Sequence, residues 1–235
     1  MTEPIRITRA TTLKSKPKDG DLGFGQLFTD HMFVADFQDE KGWYDPRIEP
    51  YGPIALDPAA AVLHYSQAIF DGLKAFRGVD GKVRLFRPQK HVERLIHSAK
   101  RMCIPPLDAD LALSSIIQLV AMEREWVPKT IGTSLYVRPT IIASEAFLGV
   151  RPAKSYIYFV ILSPVGAYYP EGMAPVNVKG KWGFVDRSGR MLFEPRPYSR
   201  VESFSGGLAY VVTADGKHGY IDKTGKYVWK PSLQG

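Results

Sequence analysis

The chain has 235 residues, of which 45% are hydrophobic and 23% are charged, so it is long enough to bury a core as one or two domains. No run approaches the ~18 apolar residues that a membrane-spanning helix needs, and the N-terminal stretch MTEPIRITRATTLKSKPKDG lacks the apolar segment of a secretory signal. We therefore expect a soluble, cytoplasmic protein with no membrane partner. The single cysteine, Cys103, excludes an internal disulfide, and we expect it to be buried by packing.

The formal net charge of +7 is distributed unevenly along the chain. Residues 177–235 contain ten Lys or Arg against five Asp or Glu and so carry +5 of it. These cations alternate with turn residues, whereas a nucleic-acid groove needs a continuous basic face with interleaved aromatic residues. Solvated edges and turns explain the charge, and we expect no nucleic-acid partner.

Residues 21–87 consist of short apolar and aromatic runs broken by Gly, Pro and Asp, a pattern typical of antiparallel strands joined by turns. The dipeptide Asp80-Gly81 separates the runs DGLKAFRGV and KVRLFRP. It predicts a tight hairpin, because glycine adopts a positive φ at no steric cost. The glycines of DLGFGQ, Gly23 and Gly25, lack the remaining spacing of a dinucleotide-binding loop and predict a turn.

Two amphipathic helices and two more strands follow. The run HVERLIHSAKRM has an apolar stripe at helical spacing, formed by Val92, Leu95, Ile96, Ala99 and Met102. The run DADLALSSIIQLVAMEREWV predicts a second helix with Asp108 as its N-cap. The strand-like runs TSLYVRPTIIAS and SYIYFVILSPV complete an α+β domain, with an antiparallel sheet and two main helices.

The C-terminal part of the chain contains an internal repeat. KWGFVDRSGRMLFEP, starting at Lys181, aligns without a gap with KHGYIDKTGKYVWKP, starting at Lys217, and the two share Lys, Gly, Asp, Gly and Pro at a period of 36 residues. Self-similarity at a fixed period indicates a repeat array. Each unit predicts a strand, a turn at Asp-x-x-Gly and a second strand, so we expect an all-β module of two units over residues 177–235.

This module resembles the WG repeat, through the Trp182-Gly183 pair and the stretch FSGGLAYV. The resemblance implies an interaction or scaffold element with no general enzymatic activity. Residues 20–176 resemble the N-terminal half of the branched-chain amino acid aminotransferases, a class IV pyridoxal-phosphate family, in several long blocks in the family's order. The blocks are LGFGQLFTDHMFVADF, GWYDPRIEPYGPIALDPAAAVLHYSQAIFDGLKAF, VRLFRPQKHVERL, GTSLYVRPTIIASEAFLGV and FVILSPVGAYYPEGM. We therefore divide the chain into an aminotransferase small domain, 1–176, and the repeat module, 177–235.

The aminotransferase resemblance implies pyridoxal phosphate as cofactor, and leucine, isoleucine or valine with 2-oxoglutarate as substrates. It implies that Arg94 holds the cofactor phosphate, a task for which a planar guanidinium is suited. Tyr136 and Arg138, on one face of a predicted strand, match residues of the substrate pocket, where the arginine holds a carboxylate. Tyr65 and Phe70 match the walls of the apolar side-chain pocket.

Without the resemblance, the same residues have ordinary structural interpretations. Arg94 is then a surface arginine of a helix in a local salt bridge, Tyr136 and Arg138 are a solvent-facing pair, and Tyr65 and Phe70 are core aromatics. No Ser-His-Asp arrangement or metal-ligand set is found, so we predict no catalytic residue and no metal site.

Two residues that aminotransferase chemistry needs, a lysine and a carboxylate, have no counterpart in the sequence. Transamination needs a lysine that holds the cofactor covalently and moves a proton, and a carboxylate facing the pyridine nitrogen. In the family both come from the large domain, after the point where this sequence changes, and neither block is present in the sequence.

Three hypotheses follow. The first is a fusion that carries half a pyridoxal-phosphate site and is inactive alone. The second is an active branched-chain transaminase, and the third is a protein-binding module acting through the repeats. An uncovered apolar face also predicts self-association or a protein partner.

Overall fold

The structure, a computed structural model, describes residues 3–18, 21–166, 172–186 and 188–233. The chain divides into two compact units, Met1–Gly166 and Ala167–Gly235. Within the described ranges, no helix has the length and apolarity needed to cross a bilayer. Each unit has its own cluster of buried apolar side chains.

The first unit is an α+β arrangement in which strands dominate. Its helices are α1 (Ala61–Tyr65), α2 (Pro88–Arg101) and α3 (Ala109–Met122), and a 3-10 turn follows at Arg124–Trp126. Its strands are β1 (Arg6–Ile7), β2 (His31–Gln38), β3 (Gly42–Pro50), β4 (Ala68–Phe70), β5 (Leu73–Arg77), β6 (Val83–Leu85), β7 (Ser134–Ala143) and β8 (Ser155–Val165).

These strands form one 8-stranded sheet in the order β1-β3-β2-β8-β7-β5-β6, with β4 also paired to β7. All pairs are antiparallel except β1 with β3. Residues of β7 alternate between buried and half-buried, because successive side chains point to opposite faces of a sheet. The half-buried face of β7 carries Tyr136 and Arg138, which lie opposite Ser163 and Ile161 of β8.

The local patterns predicted α2, α3 and the hairpin. Val92, Leu95 and Ala99 of the predicted stripe are buried in α2. Leu111 N donates to the Asp108 carboxylate over 2.8 Å, which confirms the N-cap of α3 and satisfies a backbone donor that would otherwise be unpaired. Gly81 has φ 76° in the turn that joins β5 to β6.

The prediction for Cys103 was wrong, because its side chain is exposed. Helix α2 ends at Arg101, and Cys103 takes a left-handed conformation with φ 52°. The next residue, Ile104, is 3% exposed and donates its backbone N–H to Ala99 O. The chain therefore reverses at Cys103 so that Ile104, and not the thiol, enters the core.

The described residues of the second unit form strands and turns without a helix. Strands β9 (Ala174–Val178) and β10 (Lys181–Val185) pair with each other. Strands β11 (Tyr198–Val201), β12 (Leu208–Thr213), β13 (His218–Asp222) and β14 (Tyr227–Ser232) form a four-stranded antiparallel sheet in sequence order. The change of sequence between Val176 and Asn177 lies inside β9.

The two repeat units have matching turns. Asp186 accepts from the backbone and hydroxyl of Ser188 over 2.8 and 2.6 Å, and Asp222 accepts from Thr224 over 2.8 and 2.7 Å. The second halves of the units differ. After the second turn the chain forms the strand β14, whereas after the first turn it forms two isolated bridges, Met191 with Val185 and Arg196 with Trp182.

Candidate functional site

The three-residue segment Phe70-Asp71-Gly72 organises the candidate site. It connects β4 to β5, and both strands pair with β7. Asp71 N also donates to Pro139 O over 3.0 Å, so the connection itself is fixed to β7. Phe70 contacts Arg138, Asp71 binds Arg94, and Gly72 lies against Tyr136. Three of the five predicted site residues lie on β4 or β7.

Arg138 contacts both Phe70 and Tyr136. The guanidinium carbon of Arg138 lies 4.2 Å from the centre of the Phe70 ring, a distance at which a cation is attracted to the aromatic face. Its Nε donates to Tyr136 Oη over 3.1 Å. The predicted placement of Tyr136 and Arg138 on one face therefore brings their side chains into direct contact.

A cavity of about 220 Å³ adjoins this group, and it is lined by Phe24, Gly25, Phe28, Tyr136, Arg138, Ile161 and Ser163. Ser163 is 3% exposed, and within the described part of the chain its hydroxyl has no hydrogen-bond partner. A buried hydroxyl without a protein partner is commonly satisfied by water or a ligand. The cavity thus combines a cation and two hydroxyls with apolar walls.

Asp71 holds the side chain of Arg94 in place through a bidentate ion pair. Arg94 donates from Nε and Nη2 to the two carboxylate oxygens over 2.6 and 2.7 Å. Asp71 is only 2% exposed at its side chain, whereas Arg94 is 62% exposed. His91 Nδ1 and Gly72 N contact Asp71 Oδ1 at 2.9 and 2.6 Å. Arg94 is therefore a positioned cation that faces solvent.

The ionisation of Asp71 follows from these contacts. Burial disfavours the charged carboxylate, but the hydrogen bonds from Arg94, His91 and Gly72 N outweigh burial and hold the pKa of Asp71 below its usual range. Asp71 is consequently charged throughout the neutral range. Its charge fixes two of the guanidinium donors of Arg94, and the remaining N–H groups of Arg94 can bind an anion.

Gly72 allows the Asp71–Arg94 pair and Tyr136 to lie close together, because it has no side chain. A Cβ at this position would lie 2.1 Å from Tyr136 Oη and 2.8 Å from Tyr136 Cζ. The tyrosine ring thus occupies the space that any other residue would need. Close approach of backbone and ring brings the Asp71–Arg94 pair next to Tyr136.

Tyr65 lies apart from this group. It ends α1, is 42% exposed, and its hydroxyl donates to Leu148 O. Its ring lies 6.3 Å from that of His64, whose Nε2 contacts Pro58 O at 2.9 Å. The structure therefore gathers four of the five predicted residues, Tyr65 being the exception.

Several residues of the site were missed by the sequence reasoning, namely Phe24, Asp71, Gly72, His91 and Ser163. Two signals were available. The Asp-Gly pair directly after Phe70 could have been recognised as a tight connection, and Phe24 lies between the glycines of DLGFGQ. Among the described residues, no group of three or more His, Cys, Asp or Glu side chains is placed to hold a metal ion.

Comparison with known proteins identifies relatives of both parts. The WG containing repeat family matches residues 182–217. Branched-chain-amino-acid aminotransferase 2 of Bacillus subtilis is 51% identical over 183 residues, which is 78% of this chain and 50% of that protein. The cytosolic branched-chain-amino-acid aminotransferase of Mus musculus is 47% identical over 173 residues, covering 73% and 45%.

Among solved structures, branched-chain aminotransferase from Thermoproteus uzoniensis with norvaline aligns with a TM-score of 0.49 and 20% sequence identity, over 64% of this chain and 47% of that chain. The chain spans about half the length of the curated relatives it matches. It combines a segment similar to half of a branched-chain aminotransferase with a segment that matches the WG containing repeat family.

Proposed function

We propose that the first unit carries half of a pyridoxal-phosphate transaminase site, which binds ligands but does not turn over alone. Arg94 binds the cofactor phosphate, Arg138 binds the carboxylate of an amino acid or oxo acid, and Phe70 forms an apolar wall. The observation that carries this proposal is the segment Phe70-Asp71-Gly72, which places Arg94 and Arg138 around one short piece of backbone.

The phosphate-binding role rests on the geometry of Arg94. Its guanidinium is fixed by Asp71 before any ligand arrives, and most of its side chain is exposed. A fixed, exposed guanidinium offers two parallel N–H donors, the geometry that phosphate oxygens prefer. Pyridoxal phosphate, when bound, supplies the electron sink of transamination, and Arg94 orients it.

The carboxylate-binding role rests on the cavity beside Arg138. Tyr136 accepts from Arg138 Nε, which orients the guanidinium and leaves its other donors for a carboxylate. The unpaired Ser163 hydroxyl can donate to the same ligand. Phe24 and Phe28 give the cavity apolar walls, which suit the aliphatic side chain of leucine, isoleucine or valine.

The proposed lack of turnover rests on the lysines. Lys74 lies opposite Tyr136 in the pairing of β5 with β7, but no lysine block of the family's large domain is present. Lys181 and Lys217 occupy equivalent positions of the two repeats, which explains them as repeat residues. We propose that none of these replaces the lysine that holds the cofactor covalently in the family.

The second part of the proposal concerns the repeats. Residues 177–235 are proposed to act as an all-β WG module of two units with a binding or scaffold role. The matching turns at Asp186 and Asp222 support two equivalent units.

The exposed ring of Phe70, 61% accessible, lies on the face of the first unit that we propose to mediate self-association or partner binding.

Titration of the full chain with pyridoxal phosphate tests the phosphate-binding role, with tryptophan fluorescence quenching as the readout. Arg94→Gln removes the proposed phosphate donors, and we expect affinity to fall about tenfold or more, as for loss of charge-assisted hydrogen bonds. Arg101→Gln is the matched control, since Arg101 is an exposed arginine of the same helix. Equal affinities of the two variants would contradict the assignment of Arg94.

A further inference from the structure

A row of three aromatic side chains crosses the four-stranded sheet of the second unit, and we call it the aromatic ladder: Tyr210, Tyr220 and Trp229. They lie on β12, β13 and β14, and the backbone register pairs Tyr210 with Tyr220 and Tyr220 with Trp229. The ring centres of successive members are 5.5 and 5.9 Å apart. The rings of Tyr220 and Trp229 are nearly parallel, with an angle of 26° between their planes.

The aromatic ladder lies on the face of the sheet opposite to its core. Ala209, Val211 and Ile221, which alternate with the ladder residues along β12 and β13, are fully buried. Tyr220 is 38% exposed and Trp229 is 42% exposed. Tyr210 is half-buried. Large aromatic rings gain free energy from burial, so the two adjacent exposed rings of Tyr220 and Trp229 mark a binding surface.

Three charged residues beside the aromatic ladder, Arg200, Glu202 and Asp222, have partners within the fold. Arg200 of β11 lies opposite Val212 of β12 and forms an ion pair with Glu202 at 2.6 Å. Asp222 accepts hydrogen bonds from Thr224 and from the backbone of Lys226. Arg200 and Glu202 thus neutralise each other, and the Asp222 carboxylate is bound by its own turn. These groups do not form the continuous basic surface that a phosphate backbone needs, so the face suits an uncharged ligand.

The hydrogen-bonding groups of the aromatic ladder further restrict the class of ligand that fits it. Tyr220 Oη and Trp229 Nε1 present donors at the edges of exposed rings. A proline-rich segment in the polyproline II conformation has solvated carbonyl acceptors but lacks the N–H donors of other peptides. Its pyrrolidine rings supply apolar surface for aromatic faces, the combination used in aromatic-lined peptide grooves.

We propose that the aromatic ladder is a docking site for a proline-rich segment of a protein partner in the polyproline II conformation. One turn of that helix rises about 9 Å, which two ring-to-ring steps of the ladder can span. Prolines one turn apart then rest on different rings of the ladder, with Trp229 Nε1 donating to a carbonyl between them. Tyr210, whose hydroxyl is bound to His218 Nδ1, forms the closed end of the ladder.

The full chain is titrated with an acetylated oligoproline decapeptide, and binding is followed by calorimetry and by the indole N–H signals in proton–nitrogen NMR. We expect saturable binding with a shift of one indole signal, that of Trp229, among the four tryptophans of the chain. Trp229→Ala is expected to weaken binding about tenfold or more, as for loss of a central aromatic anchor. Val228→Ala is the matched control, since Val228 is a 61% exposed neighbour on the same strand.

Tyr220→Ala provides a second test if Trp229→Ala fails to fold, and it is expected to weaken binding in the same direction. Circular dichroism of each variant distinguishes loss of the ligand site from loss of the fold. The proposal is overturned if the wild-type chain does not bind oligoproline, or if Val228→Ala weakens binding as much as Trp229→Ala. It is also overturned if oligothymidylate or cello-oligosaccharide binds more tightly at the same indole.

Discussion

Asp71 of the first unit and the two repeat-turn aspartates of the second unit have opposite roles. Asp71 of the first unit is buried and binds Arg94, the side chain of a different element. Asp186 and Asp222 of the second unit bind the backbone and hydroxyl of residues in their own turns. A carboxylate that closes its own turn fixes local structure, whereas one that holds a distant cation assembles a site. Residue type alone therefore does not distinguish a repeat turn from a ligand-binding arrangement.

The largest effect is expected from Gly72→Ala, which disrupts the close packing of Tyr136 against the Asp71-Gly72 backbone. The added methyl would overlap the Tyr136 hydroxyl at 2.1 Å, so the ring or the segment must move. Overpacking of this kind lowers the free energy of unfolding by about 1–3 kcal/mol, measurable by urea denaturation. Gly52→Ala is the control, because its nearest contact lies 3.9 Å away. Identical midpoints for both variants would show that the contact is not rigid.

Asp71→Asn is expected to have a smaller effect, since Arg94 is exposed and solvent screens its charge. We expect a loss of about 1–2 kcal/mol in the free energy of unfolding at pH near 8. The folded-state pKa of Asp71 is lowered, so its contribution is complete above the ordinary aspartate pKa of about 3.9. It disappears as pH falls through the folded value.

Denaturation of wild type and Asp71→Asn at about pH 8 and about pH 3 therefore tests the sign of this linkage. The difference between the two proteins should shrink in acid, because below the ordinary aspartate pKa of about 3.9 the unfolded wild-type chain binds a proton at this carboxyl more readily than the folded chain does. An undiminished difference at about pH 3 would mean that the asparagine acts through packing and not through lost charge.

The smallest effects are expected at the exposed repeat turns. Asp222→Ala should lower the thermal midpoint more than Asp186→Ala, because the second turn leads into the continuous strand β14 whereas the first leads to two isolated bridges, at Met191 and Arg196. The Asp→Asn variants keep an acceptor oxygen and should retain most of the midpoint. Calorimetry of the four variants makes the comparison, and a larger effect at Asp186 would contradict the difference between the two units.

The sequence predicted those features that depend on neighbouring residues. The stripe of α2, the Asp108 cap and the hairpin at Gly81 are all within a few positions of the residues that determine them. The exposure of Cys103 was mispredicted because the apolar stripe does not show where a helix ends. The chain reversal after Arg101 depends on where Ile104 packs.

The candidate site was predicted less completely, since its contacts join distant positions. Arg94 was proposed from resemblance alone, and its partner Asp71 lies 23 positions earlier. Ser163 reaches Tyr136 only through the register of β7 with β8. No periodicity marks such pairs, so only the folded sheet reveals them.

The most direct test of the central claim is reduction of the full chain with borohydride in the presence of pyridoxal phosphate, followed by peptide mass spectrometry. The same preparation is assayed with leucine and 2-oxoglutarate. We predict no stoichiometric adduct on a single lysine and no turnover, although binding sensitive to Arg94→Gln remains. A single lysine labelled in full, at Lys74 or elsewhere, together with transamination, would contradict the proposal that this chain holds only half of the site.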